Sequence, residues 1–117
     1  MDRVETGENT GLSLAQIVRR EVALYQAHSH ISTFYAMLDD ENQRYGVVVV
    51  ENDRSLEVPV WIFMMARVED EFIVIEQDTS LNKHLYEALM INGEIPREKI
   101  ILAYKGEKLP DGGSAKA

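Results

Sequence analysis

His28 and His30 stand two residues apart, so on an extended segment both imidazoles would project from one face, as a metal site requires. Zinc also needs a third ligand held in the same place, and the remaining histidine, His84, falls on a separate helical stretch at a position that reads as solvent-facing. Ordinary surface histidines are the expectation. Carboxylates are plentiful in Asp39-Asp40-Glu41 and Glu69-Asp70-Glu71, but acid–base catalysis needs two of them at a fixed separation in a cleft, one desolvated. Both clusters fall where hairpin turns are predicted, and turn acids are solvated. Ser13, Ser29, Ser32, Ser55 and Ser80 have capping or turn roles. There is no phosphate-cradling glycine loop, nucleophile elbow or dinucleotide fingerprint. The sequence contains no cysteine, which excludes disulfides, Cys-ligated zinc, iron–sulfur clusters and thiol catalysis. No catalytic, cofactor-binding or metal-ligating residue is expected, and the chain reads as a non-enzyme.

Aromatic stacking on nucleic acid is the remaining chemistry. Phe34, Tyr35, Tyr45, Trp61 and Phe63 lie on predicted strands, but base stacking needs exposed rings flanked by cations, and only Arg44, Arg54 and Arg67 are near them. Packing is the expected role for most of these rings. With 20 acids against 12 bases and a net charge of −8, a direct grip on phosphates is disfavoured. Such a surface suits solubility, a basic protein partner, or occupation of a partner's nucleic-acid groove. A local patch of Arg19, Arg20, Arg44 and Arg54 is the alternative route to DNA.

The elements that position these residues follow from spacing. At 117 residues one core is expected, and no apolar run is long enough to span a bilayer. The N-terminus lacks a signal-peptide pattern, so a cytoplasmic location is expected. Residues 1–11 read as a flexible arm, 12–109 as one domain, and 110–117 as a disordered tail. Ser13 and Gln16 form a capping-box pattern, after which Leu14, Ile17, Val18, Val22, Leu24 and Tyr25 share one side of a helix. Glu21 falls within that apolar sector and is expected to reach solvent from its edge. Strands are predicted at Ile31–Leu38, Tyr45–Val50, Val58–Val68 and Phe72–Ile75, joined by polar turns. Asp78-Thr79-Ser80 reads as a turn and N-cap for a second helix over Leu81–Asn92. Gly93 would end that helix in a left-handed conformation, Pro96 would keep it from resuming, and a last strand would start at Lys99.

Both alternating faces of Trp61-Ile62-Phe63-Met64-Met65 are apolar, as is the run Val47–Val50. Helices on one side of the sheet leave the other apolar face exposed unless another chain covers it. A homo-oligomer or heteromeric contact is therefore expected, with Trp61, Phe63, Met65, Val48 and Val50 as its candidate interface.

The stretch Ile95-Pro96-Arg97-Glu98-Lys99-Ile100-Ile101-Leu102-Ala103-Tyr104 resembles the closing signature of the XisI family, the fdxN element excision controlling factors. In that family a helix ends in glycine, and an aliphatic-Pro-basic-Glu stretch leads to a strand ending in Ala and an aromatic. Glu69 to Asp78 resembles the turn and strand before the last helix, and the likeness runs in order from about Leu14 to Leu109. The chain departs from the pattern at Glu51-Asn52, where a Gly-Trp is usual, and at Met64-Met65-Ala66-Arg67, where a His-Ile-Asp-like stretch is usual, and so resembles a divergent member. The resemblance implies an α+β fold of helix, four-stranded antiparallel meander, helix and closing strand, with the helices on one face. It further implies a non-enzymatic regulator of programmed DNA element excision, without cofactor, acting on a protein partner, either an XisH-like nuclease or a recombinase. A DNA-binding accessory factor for site-specific recombination is the alternative. No functional residue transfers by position.

Overall fold

In the computed structural model the described residues are 11–110, so the expected arm and tail lie outside them except for Gly11 and Pro110. Helix α1 runs Leu14–Ala23 and starts on a reciprocal cap. Ser13 Oγ accepts the Gln16 amide at 3.1 Å, and Gln16 Oε1 accepts the Ser13 amide at 2.8 Å. Leu14, Ile17, Val18 and Val22 are buried. Leu24, expected on the apolar side, is 70% exposed at the C-cap, where its amide donates to the Glu21 carbonyl at 3.3 Å.

The strands are β1 (Ala27–His28), β2 (Ser32–Asp39), β3 (Arg44–Glu51), β4 (Val60–Glu69), β5 (Phe72–Asp78) and β6 (Ile100–Leu102). They form one six-stranded sheet in chain order, antiparallel throughout except that β6 runs parallel to β5. A parallel return needs a crossover, supplied here by helix α2, Leu85–Asn92. The α+β class and the meander agree with the sequence reading. The sixth strand, β1, is a two-residue edge too short to leave a periodic signal.

Helix α2 begins at Leu85 and not at Leu81. The Asp78 carboxylate accepts the Ser80 amide at 2.9 Å and the Leu85 amide at 2.8 Å, which holds the intervening residues as a loop and leaves Leu81 exposed. Gly93 also differs from expectation. Its φ is −95°, and the left-handed residue is Glu94, at φ 55°. Gly93 is required for proximity: a Cβ there would sit 2.6 Å from Ile17 Cγ2 and 2.8 Å from the Leu89 carbonyl oxygen. Glycine thus lets the end of α2 press onto α1.

Both helices pack on one side of the sheet. Ile17, Val18, Val22, Leu85 and Leu89 meet Tyr45, Val47, Met64, Ala66, Ile73, Ile75, Ile100 and Leu102 in a continuous apolar core. Glu21 is a correction. It is 2% exposed, because the end of α2 lands on it: its carboxylate accepts Asn92 Nδ2 at 3.0 Å and Arg20 Nε at 3.0 Å. Arg20 Nη2 also donates to the Asn92 carbonyl at 3.2 Å, so one buried acid ties the two helices together.

Candidate interaction surface

One irregularity in the β3–β4 ladder decides which residues of β4 reach the outer side of the sheet. Val47 pairs with Met64 but Val48 pairs with Ile62, so Phe63 is an extra residue in β4. Such a bulge reverses the alternation of everything beyond it. Trp61, Phe63 and Met64 consequently serve the helix-bearing side, whereas Ile62 and Met65 face away from it. The Phe63 ring meets Phe34 edge-on at 4.9 Å and lies 6.1 Å from Trp61, whose Nε1 donates to Glu51 Oε2 at 2.8 Å. Of the five interface residues expected from the sequence, Val48, Val50 and Met65 share the outer face. Trp61 and Phe63 do not, and the bulge is the reason.

Three cross-strand rows build this outer face: Thr33–Val50–Val60, Tyr35–Val48–Ile62 and Met37–Gly46–Met65. Tyr35, Met37, Val60 and Ile62 are 51, 57, 45 and 42% exposed, with Val48, Val50 and Met65 half-buried among them. Gly46 keeps the last row low, since a Cβ there would lie 2.7 Å from the Met64 carbonyl oxygen and 3.2 Å from Met65 Sδ. The Met65 thioether thus lies across a bare stretch of backbone.

The other part of the outer face is covered by the chain itself. Val74 of β5 and Ile101 of β6 are buried beneath Leu109, with Phe72 and Ala103 beside them. The β6 edge is closed as well. Arg97 Nη1 donates to the Ile100 carbonyl at 2.7 Å, the Leu102 amide donates to Glu107 Oε1 at 2.8 Å, and Arg97 Nη2 meets Glu107 Oε2 at 2.6 Å. The ion pair thereby occupies the outward backbone groups that another strand would use. The Arg97 guanidinium also lies 5.7 Å from the centre of the Tyr86 ring. The guanidinium and the Leu102 amide hold the Glu107 carboxyl below its usual range.

The residues with chemical types are used structurally. His28 Nδ1 lies 2.8 Å from Thr33 Oγ1, and no group of three or more His, Asp or Glu capable of holding a metal occurs among the described residues. Asp39 accepts both Asn42 nitrogens, which lowers its pKa, and Asp40 accepts Arg19 Nε at 3.2 Å and the Tyr45 hydroxyl at 3.0 Å. Lys99 Nζ meets Glu71 Oε1 at 3.0 Å. His84 is half-buried, stacked on Tyr86, with Nδ1 3.3 Å from Ser80 Oγ, and Ser80 Oγ donates to Asp78 Oδ1 at 2.5 Å. Asp, Ser and His meet here, but Asp78 binds the serine and the Leu85 amide, and Ser80 is buried. This wiring braces the loop before α2 and leaves no activated nucleophile. The four arginines of the DNA reading are dispersed. Arg19 is bound to Asp40 and Arg20 to Glu21, while Arg44 is the first residue of β3 and Arg54 lies on the loop beyond its other end.

The described residues form an α+β protein with both helices on one side of a mixed sheet and part of the other side bare. The same fold is found in a XisI-like protein from Anabaena variabilis, with a TM-score of 0.64 at 21% identity over 82% of this chain and 85% of that one. The fdxN element excision controlling factor XisI from the same organism is also similar, with a TM-score of 0.55 at 19% identity over 76% of this chain and 78% of that one. At these identities the likeness is one of fold. No protein-family model matches the chain, and no curated protein does.

Proposed function

We propose that this chain is a non-enzymatic regulatory factor of the XisI type that works by binding a protein partner in the cytoplasm. The observation that carries this reading is the apolar outer face over β2, β3 and β4, which no segment among the described residues covers. Contiguous exposed apolar surface rimmed by polar residues marks an association site. The name of the similar solved protein, an excision controlling factor, supports a regulatory role, and the partner class proposed is the one the family resemblance implies, an XisH-like nuclease or a recombinase. A net charge of −8 suits a basic partner of this kind.

Co-expression with an XisH-like protein tests the reading. A co-purifying complex is expected, and it should be lost with Ile62→Lys, which places a charge on the bare face without disturbing the core. If no XisH-like protein or recombinase associates, the function proposed here fails. If the complex is indifferent to Ile62→Lys, binding uses another surface. Direct DNA binding finds little support in the dispersed arginines, and a gel shift at low salt should show no retarded band.

A further inference from the structure

Resting on the reading of the bare face as an association surface, we infer that its first occupant is a second copy of this chain, the two sheets packing face to face with their strands reversed. Area and charge both lead to this geometry. Tyr35, Met37, Val60 and Ile62 with the half-buried Val48, Val50 and Met65 form an apolar surface. They expose on the order of 500 Å², more than half of the roughly 800 Å² per partner that a standard interface buries. Two bare sheet faces also match in shape, because aligned sheets pack about 10 Å apart with interdigitating side chains.

Charge bears on the orientation. Arg44 is exposed where β3 begins, with Asp39 across from it on β2 and the Glu69- and Glu76-bound Arg67 across from it on β4, and the loop after β3 exposes two acids, Asp53 and Glu57, against one base, Arg54. A two-fold axis along the strands would lay Arg44 over its own counterpart. An axis across the strands, along the row Tyr35–Val48–Ile62, reverses them and brings Arg44 of each copy to the acidic loop end of the other. The central row then stacks on itself, so each Ile62 meets its symmetry mate. Meanwhile, the capped β6 edge and the Leu109 roof stay outside the contact.

The net charge opposes this pairing at long range and supplies its signature. Salt screens the repulsion between two bodies of charge −8 and leaves an apolar contact intact, whereas attraction to a basic partner weakens with salt.

Sedimentation equilibrium of the full chain, over rising concentration at low and high salt, tests the inference. The expected result is a species of twice the chain mass whose share grows with both. Ile62→Lys and Met37→Glu, at two exposed positions, should each abolish it while the far-ultraviolet circular dichroism stays native. Because the chain has no cysteine, Ile62→Cys should cross-link two copies through that residue on oxidation. A native chain that remains monomeric under all conditions overturns the inference, as does a dimer that survives both charge variants or weakens with salt. In the monomeric case, an XisH-like protein retained by the wild-type chain and lost by Ile62→Lys would leave the proposed function standing.

Discussion

The two parts of the outer sheet face show opposite treatments of the same problem. Over β5 and β6, Val74 and Ile101 are as apolar as any residue on the face, and the chain buries them under Leu109 and closes the edge with the Arg97–Glu107 pair. Over β2, β3 and β4 the apolar rows stay in contact with water. Exposed apolar area is an energetic liability at roughly 25 cal/mol per Å². A fold that roofs one part of a face and leaves the other bare has an internal solution for the first and, on the function proposed above, an external one for the second. The adjacent residues Ile62 and Phe63 compress this contrast into a single peptide: one faces outward at the surface and the other packs against the core.

That contrast can be broken residue by residue. Phe63→Ala should have the largest effect on stability, about 3 kcal/mol in denaturant unfolding, since it removes a ring packed on Phe34 and the core. Surviving folded molecules should associate as the parent does, in contrast to Ile62→Lys, which should alter association and barely alter stability. Leu109→Ala should cost about 2 kcal/mol by unroofing Val74 and Ile101. It should also raise binding of a hydrophobic dye, which makes the covered part resemble the bare one. Arg97→Ala should cost about 1 kcal/mol, the scale of a half-exposed ion pair with its backbone bonds. Hydrogen exchange should quicken at the Leu102 amide, whose acceptor Glu107 is then no longer held in place.

Alkaline titration reports on two phenols of the helix-bearing side. Burial pushes the Tyr25 phenol up to about 12, assisted by the charges of Asp78, Glu21 and Glu87. Burial likewise pushes Tyr45 up to about 12, followed by its bond to Asp40. Unfolded phenols titrate near 10, so the folded chain holds these protons longer. The resulting stability is fully present below pH 10 and is lost as pH rises towards 12. Unfolding melts across that window should fall in temperature, and Tyr45→Phe should flatten the decline.

Much of this architecture is legible in the sequence because its signals are local. The Ser13–Gln16 box starts α1 where expected, and the polar turns at Asp39, Glu51 and Glu69 separate the meander strands. What is not legible depends on distant contacts. Glu21 reads as an edge residue until Asn92, seventy-one positions later, arrives to bind it. Gly93 reads as a left-handed cap, whereas its small size serves contact with Ile17. The bulge at Phe63 is hidden for a different reason: when both faces of a strand are apolar, alternation carries no parity, and one inserted residue reverses Trp61 and Phe63 unseen. The bare face was therefore foreseeable, but two of its five expected residues were not correctly sided.

The methionines give the most direct test that the open part of the face is the association surface. In methyl NMR with a soluble paramagnetic probe, Met37 and Met65 should be strongly relaxed in the dilute chain and shielded as the protein concentration rises or an XisH-like partner is added, while the buried Met64 stays unaffected throughout. Unchanged probe access at Met37 and Met65 in an associated state, with shielding at the helix residue Met90 instead, would contradict the account.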